Sequence, residues 1–167
     1  SIHLEDWPVA DDSYMNESLE DEMATIRVVA EKAHAVRKEQ KIKVRQPLAK
    51  VTVVGGRLPS IDSLEVLKSE INVEDVNWTV GDSSTLDVTL DTTITDQLRA
   101  KGEMREIIRT VQDLRKDAGV AFDELVDIQL PSWPHEHEEE IKKRTMVQSI
   151  TKGDNARMMR ITSQKGV

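Results

Sequence analysis

The sequence contains no cysteine, which excludes disulfides, thiolate catalysis and cysteine-ligated zinc sites and is compatible with a reducing compartment. Aromatic residues make up only 3% of the chain, so a core drawn from its 38% hydrophobic residues must consist mostly of Val, Ile and Leu. No apolar run approaches the ~20 residues that span a bilayer, so we expect no membrane segment. The first residues, SIHLEDWP, lack an initiator methionine and the features of a signal peptide, and we expect a piece of a longer chain.

Charge is distributed unevenly along the chain. The formal net charge of −8 argues against a general nucleic-acid-binding protein. Residues 1–26 contain eight acidic residues and no Lys or Arg, whereas residues 27–50 contain eight basic residues against Glu31 and Glu39. Because binding depends on the local field, a polyanion can meet the second region while the first stays clear of it.

Two long amphipathic helices are predicted. Asn16 is the expected N-cap of a helix over 17–40, in which apolar residues recur every three or four positions. Thr95 is expected to cap the second long helix, which Gly119 ends at its C′ position. Only the first of these helices precedes Pro47, so we expect the partners of its apolar stripe in the following domain or outside this chain.

Shorter elements surround the second long helix. Strands are predicted at 51–54, 76–80, 86–90, 126–130 and 156–162, the second and third as an antiparallel hairpin, with helices opening at Ser60 or Asp62 and spanning 136–149. No internal repeat is detected. The order β-α-β-β-α-β matches a split βαβ plan. The expected fold class is therefore α+β, a mostly antiparallel sheet of split βαβ type covered by helices and preceded by one long helix.

The stretch from Arg37 to Leu48, RKEQKIKVRQPL, is predicted to leave the first helix as an extended ribbon that Pro47 terminates. Charged and apolar residues alternate in it with a period of two, which places three cations about 7 Å apart on one edge. These cations are Lys41, Lys43 and Arg45. The edge can face a phosphate backbone, or it can be an edge strand with solvated lysines.

A second basic group is predicted on the helix after Thr95, opposite its apolar stripe. Its members recur at helical spacing and can form a phosphate-contacting ridge. They are Arg105, Arg109, Gln112, Arg115 and Lys116. The alternative is a solvated face with internal ion pairs, such as Arg109 with Asp113, each contributing a few tenths of a kcal/mol.

Catalytic and metal-binding motifs are missing from the sequence. His135 and His137 point about 200° apart on a helix, so they share no face, and we interpret 135–140 as an acidic helix start. No nucleophile–base pair and no glycine-rich phosphate loop is present. We therefore expect no enzyme activity in this chain alone.

Three segments together resemble the C-terminal part of the isoleucyl-tRNA synthetases, class I aminoacyl-tRNA synthetases, in their eukaryote-like form. These segments are SIHLEDWP at 1–8, IKVRQPL at 42–48 and LDTTITDQLRAKGEMREIIRTVQDLRKDAGV at 90–120. IKKRTM at 141–146 is similar to the final segment of that family, more weakly. Some relatives carry a cysteine-ligated zinc near the C-terminus, and this chain has no cysteine with which to build it.

The resemblance implies that residues 1–46 end a helical anticodon-binding domain and that residues 47–167 form a C-terminal α/β domain. It implies a cytoplasmic parent protein that is an isoleucine–tRNA ligase using ATP and Mg. The HIGH and KMSKS motifs of the catalytic domain are absent from this chain, for which no cofactor is expected. The implied partners are tRNA(Ile) and the remainder of the synthetase chain, without a membrane.

We therefore predict a tRNA-binding segment that positions tRNA(Ile) for aminoacylation by a catalytic domain elsewhere. The predicted contact residues are Arg37, Lys38, Lys41, Lys43, Arg45, Gln46, Arg105, Arg109, Arg115 and Lys116. The alternative is a non-catalytic structural or protein-interaction module that docks on the synthetase body or a partner subunit without contacting RNA.

Overall fold

The computed structural model describes residues 11, 15–82 and 85–160 of the chain. Within these residues four α-helices and six strands form an α+β fold, which confirms the predicted class. In chain order the elements are α1 (Glu17–Glu39), β1 (Leu48–Gly55), α2 (Ile61–Glu70), β2 (Val73–Val80), β3 (Asp87–Leu90), α3 (Asp96–Asp117), β4 (Val126–Leu130), a 3₁₀ turn (His135–His137), α4 (Glu138–Thr145), β5 (Val147–Lys152) and β6 (Arg157–Arg160). Most of the predicted lead-in, part of the turn before β3 and the end of the last predicted strand (161–162) lie outside the described residues.

Helix α1 has almost the predicted bounds, because its N-cap is encoded locally. The side-chain oxygen of Asn16 accepts the backbone N–H of Leu19 at 3.1 Å. The apolar stripe of α1 is buried in one core with α2 and the first three strands. Its buried apolar members are Ile26, Val29, Ala30 and Ala33. Of the two alternatives expected for the partners of this stripe, the structure selects the elements that follow it in the chain.

Helix α3 confirms both predicted caps. The hydroxyl of Thr95 accepts the N–H of Leu98 at 3.3 Å, and Gly119 follows the helix with a left-handed φ of 60°. The buried side of α3, including Met104, Ile108 and Val111, packs on the second sheet and α4. None of the helices in the described part of the chain has the length and apolarity needed to cross a membrane.

The strands form two three-stranded sheets of mixed direction rather than one mostly antiparallel sheet. In the first sheet β1 lies between β2, to which it is parallel, and β3, to which it is antiparallel. In the second sheet β4 lies in the same way between β5 and β6. The predicted hairpin of β2 and β3 is therefore wrong. Helix α2 provides the crossover that parallel pairing of β1 and β2 requires, which leaves the other edge of β1 for β3.

The helix predicted over 136–149 is shorter than expected. It ends at Thr145 because Met146 adopts a left-handed φ of 52°, and β5 starts at the next residue. Its acidic start is confirmed, with three Glu residues in the first turn of α4. Hydrogen bonds from Lys142 and Trp133 hold the pKa of Glu138 below its usual value.

The fold contains an internal repeat, which the sequence analysis missed. A long helix followed by β-α-β-β forms a first unit (17–90) and a second unit (96–160) with equivalent strand orders. Near the ends of the long helices, equivalent positions in the two units are 78 residues apart. Arg37 thus corresponds to Arg115, and Leu48 corresponds to Val126. Each unit buries its long helix against its own sheet.

The backbone that follows the long helix repeats with the same offset. Left-handed φ values occur at Lys41 (56°) and Gly119 (60°). The equivalent hydrogen bonds are Ile42 N to Arg37 O (2.9 Å) and Val120 N to Arg115 O (3.1 Å), then Gln46 N to Lys43 O (3.0 Å) and Glu124 N to Ala121 O (3.2 Å). The same turn is thus built twice, and only its first copy lies in the basic region of the sequence.

Candidate nucleic-acid interface

The segment Lys41–Gln46, here called the basic turn, is not the extended ribbon that the sequence predicts. Lys41 is in the left-handed region, and the N–H of Gln46 donates to the carbonyl of Lys43. A period of two over only five residues is a short signal. It is outweighed by the side-chain hydrogen bonds that hold this backbone in a turn, and the strand begins only at Leu48.

Arg37 holds the basic turn from its buried side. Its Nη1 donates to the carbonyls of Lys43 (3.2 Å) and Gln46 (2.9 Å), and its Nη2 donates to those of Ile71 (2.8 Å) and Asn72 (2.9 Å). The side chain is 1% exposed, and burial lowers its pKa. The surface phosphate contact predicted for Arg37 is therefore corrected to a structural role, because a guanidinium committed to four carbonyls is not available to RNA.

Two further side chains fix the turn. The amide nitrogen of Asn72 donates to the carbonyl of Val44 at 2.9 Å. The amide nitrogen of Gln46 donates to the carbonyl of Leu98 in α3 at 2.7 Å, and to that of Pro47 at 3.0 Å. Gln46, predicted as an RNA contact, is thus a positioning residue that attaches the turn to the second unit.

The cations of the basic turn, and Lys38 just before it, are exposed to solvent while the backbone of the turn is held. Lys38, Lys41 and Lys43 are exposed. The side chain of Arg45 is 44% exposed, and its Nη1 lies 3.8 Å from a carboxylate oxygen of Glu106. At this distance and exposure the ion pair is weak, so Arg45 can exchange it for another anion. The four residues form a cationic group on one exposed segment.

Helix α3 contributes less of this surface than the sequence predicts. Arg105 donates to the side-chain oxygen of Asn72, so it lies beside the basic turn. Arg109 is exposed and paired with Asp113 at 3.5 Å, as the alternative interpretation of this face expected. The structure therefore brings Arg105 to the basic turn and leaves Arg109 one helical turn away in an ion pair.

The last two predicted residues of α3 lie at its C-terminal end. Arg115 is 8% exposed and donates from Nη2 to the carbonyls of Ala121 (2.5 Å) and Phe122 (3.1 Å). It is the counterpart of Arg37, and its predicted surface contact is corrected for the same reason. Lys116 is exposed. It belongs to the end of the second unit rather than to the basic turn.

Sequence reasoning missed Asn72 and Gly102, which complete the support of the turn. Asn72 has a left-handed φ of 52°, and an asparagine at the end of α2 was a usable signal for that conformation. A Cβ at Gly102 would lie 2.4 Å from the side-chain oxygen of Gln46, so this glycine admits the glutamine. Gly102 interrupts the middle of a helix, which also marks a close approach.

Metal ligation finds no support in the described part of the chain, where no group of three or more His, Asp or Glu residues could hold an ion. His137 lies near Glu136 and Glu140, at 3.8 and 4.0 Å. The arrangement at the basic turn can provide electrostatic attraction and hydrogen-bond donors but no nucleophile or general base. Binding of an anion is the chemistry that it supports.

Comparison with known proteins finds sequence relatives, although no protein-family model matches the chain. An isoleucine–tRNA ligase of Dehalococcoides mccartyi is 31% identical over 176 aligned residues, which cover 92% of this chain and 17% of that protein. The ligase of Cutibacterium acnes is 43% identical over 44% of the chain and 6% of the relative. The ligase of Thermoplasma acidophilum is 36% identical over 54% of the chain and 9% of the relative. The chain therefore spans less than one fifth of the length of these relatives.

Proposed function

The chain belongs to the isoleucyl-tRNA synthetase family as a segment of its long polypeptides, and from this premise we propose that it positions tRNA(Ile) near the anticodon. The exposed cations of the basic turn would contact the phosphate backbone. The catalytic domain would lie elsewhere in the synthetase and use ATP and Mg²⁺. This chain would contribute affinity and placement of the tRNA, with no bond made or broken in it.

The observation that carries the proposal is the contrast between a fixed backbone and exposed cations in one short segment. The turn is held by Arg37 and Asn72, which donate to its carbonyl groups, and by Gln46, which donates to a carbonyl group of α3. The Lys and Arg side chains of the turn stay exposed to solvent. A preorganised segment loses less conformational freedom on binding than a flexible one. The lysines retain mobile side chains, which suits contact with phosphates rather than reading of base edges.

The internal repeat separates the role of these cations from the needs of the fold. With the offset of 78, Lys41, Lys43 and Arg45 correspond to Gly119, Ala121 and Asp123. The second turn makes the same backbone hydrogen bonds without a cation at any of these three positions. The positive charges of the first turn are therefore not required to build it, which favours a binding role for them.

The cations outside the basic turn would act at the edge of the RNA contact. Lys38 and Arg105 flank the turn, and Arg109 and Lys116 continue along α3 away from it. Such residues would contribute to the general field that attracts RNA and to the salt dependence of binding. Arg37 and Gln46 would act only through the shape of the turn.

A structural role is the second candidate function, and the ion pairs between the two units favour it. Two ion pairs join the units. Lys101 of the second unit pairs with Glu74 of the first, and Arg45 of the first unit pairs with Glu106 of the second, so basic residues also hold the two units together. In that case the chain would be a rigid docking module of the synthetase. Its attachment would be nearly indifferent to salt, unlike a contact with phosphates.

Replacing Lys43 and Arg45 together with alanine is expected to weaken binding of tRNA(Ile) about tenfold at low salt, since each charge-assisted contact with a phosphate contributes on the order of 1 kcal/mol or less. The slope of log affinity against log salt should fall by about 1.4, because two phosphate contacts are lost at ~0.7 each. Fluorescence anisotropy over a salt series, with labelled tRNA(Ile) and a noncognate tRNA, measures both quantities.

The matched control for this experiment is the replacement of Lys143 and Lys152, two exposed lysines of the second unit, with alanine. It removes the same formal charge and should change neither the affinity nor the salt slope by more than a small amount. Thermal unfolding should be unaltered in both variants, since none of the four side chains is buried. Equal weakening by the two double variants would assign binding to the overall charge and reject the basic turn.

A further inference from the structure

The turn of the second unit that corresponds to the basic turn carries acidic and apolar side chains on its surface. We call this segment, Gly119–Glu124, the acidic turn. Phe122 is 93% exposed, and Leu125, the next residue after the segment, is 47% exposed. Asp123 and Glu124 lie between them. A phenylalanine exposed beside a leucine on a backbone fixed by Arg115 is a candidate for a protein contact.

The first unit shows what covers this position in the repeat. Pro47, the counterpart of Leu125, is buried, and it lines a small cavity together with Lys101, Met104 and Arg105 of α3. Gln46, the counterpart of Glu124, donates to the carbonyl of Leu98 and lies against Gly102. The N-terminal half of a helix from the next unit therefore covers Gln46 and Pro47, at the end of the first turn.

The two turns differ in charge at the two positions that face this helix: a cation is replaced by an acid at one, and a neutral amide by an acid at the other. Arg45 lies 3.8 Å from Glu106, four residues after Gly102 in α3. Its counterpart on the acidic turn is Asp123. The amide donor of Gln46 is replaced by the carboxylate of Glu124, which lies 3.8 Å from Nε of Arg160 in a weak, exposed ion pair. A helix docked on the acidic turn would thus need a small residue to approach Glu124 and a cation one turn later to meet Asp123.

We propose that the acidic turn and Leu125 are the docking site for a helix of the synthetase that lies outside these 167 residues. This helix carries a small residue followed four positions later by Lys or Arg. It covers Leu125 as α3 covers Pro47, with Phe122 at the rim as Val44 is at the rim of the first site. The proposal rests on the family membership of the chain and not on the RNA contact, so either can fail without the other.

The experiment uses a photo-crosslinking amino acid in place of Phe122 in the full-length synthetase. p-Benzoylphenylalanine fits this position because the native ring is almost fully exposed and aromatic. After irradiation, peptide mass spectrometry should find the main adduct within the same polypeptide, in a helical segment outside residues 1–167 that contains the small residue and the cation. Adding the exchange Asp123→Lys should reduce its yield several-fold, because the cation of the partner would then face a like charge.

Two controls make the result decisive. The same amino acid in place of Val66, an exposed apolar residue of α2, should give several-fold less of this adduct. The isolated 167-residue chain labelled at position 122 should give none of it. The proposal is overturned by a main adduct with tRNA, with a second copy, or with residues 1–167 of the same chain. Equal yields at positions 122 and 66, or no adduct at all, overturn it as well.

Discussion

Replacing Arg37 with methionine is expected to lower the free energy of unfolding by about 2–4 kcal/mol, because four carbonyls lose a charged donor and two of them, those of Lys43 and Asn72, keep only a backbone N–H. Methionine keeps much of the aliphatic volume, so the loss reports the guanidinium rather than a large cavity. The four carbonyls belong to two segments, the basic turn and the end of α2, which Arg37 joins. Urea denaturation, and a midpoint of thermal unfolding lower by roughly 4–16 °C, would measure the effect.

Two neighbours calibrate this result. The exposed Lys38 is adjacent in sequence, and its replacement with methionine should change stability by less than about 0.5 kcal/mol. Arg115→Met repeats the experiment in the second unit, where two carbonyls are contacted instead of four. It should cost less than Arg37→Met, about 1–2 kcal/mol, because the carbonyls of Ala121 and Phe122 belong to exposed residues. Equal and small effects at positions 37, 38 and 115 would contradict a structural role for the buried guanidinium groups.

The same variant connects stability with the proposed RNA contact. If the basic turn depends on Arg37 for its shape, Arg37→Met should weaken tRNA binding even under conditions where the chain stays folded. Lys38→Met removes one surface charge and should reduce binding only slightly. Circular dichroism at the temperature of the binding assay distinguishes loss of the turn from loss of the fold.

The long helices and their ends could be predicted from the sequence because their signals are local. Asn16 and Thr95 act as caps on backbone groups three residues away, and Gly119 supplies its own left-handed conformation. The burial of Arg37 could not be predicted in this way. Its partners at Ile71 and Asn72 are brought in by the long-range packing of α2 and β1, and a cation near a helix C-terminus otherwise suggests a solvated side chain.

The repeat was hidden for a related reason. In the two turns the residues that make the structure are alike or interchangeable, as with Arg37 and Arg115, whereas the exposed positions differ in charge. Lys43 and Arg45 correspond to Ala121 and Asp123, so the surface chemistry that was most visible in the sequence is the part that the repeat does not share. The strand order of the sheets could not be predicted either, because the insertion of β1 between β2 and β3 leaves no signal in the local sequence.

The effect of Gly102→Ala on the free energy of unfolding is expected to change sign with the residue at position 46. In the parent protein the new Cβ would lie 2.4 Å from the side-chain oxygen of Gln46, so the amide must leave the carbonyl of Leu98. The carbonyl of Leu98 keeps the N–H of residue 102 within the helix, so the cost is the lost hydrogen bond and the displacement of the half-buried Gln46 amide, about 1–2 kcal/mol. This equals or outweighs the gain of roughly 1 kcal/mol in helix propensity, and the net result is a destabilisation of up to about 1 kcal/mol.

In a Gln46→Ala background the same Gly102→Ala change should stabilise the protein by about 0.5–1 kcal/mol, because the space is vacant and only the propensity gain remains. Urea denaturation of the four proteins of this cycle then gives a coupling energy of about 1–2 kcal/mol between the two positions. Gln112→Ala, on the exposed side of α3, should give nearly the same small effect in both backgrounds. If Gly102→Ala stabilises the parent protein as well, Gln46 does not attach the basic turn to α3. The cations would then lie on a segment that is free to move relative to the second unit, and the basic turn would not be preorganised for RNA binding.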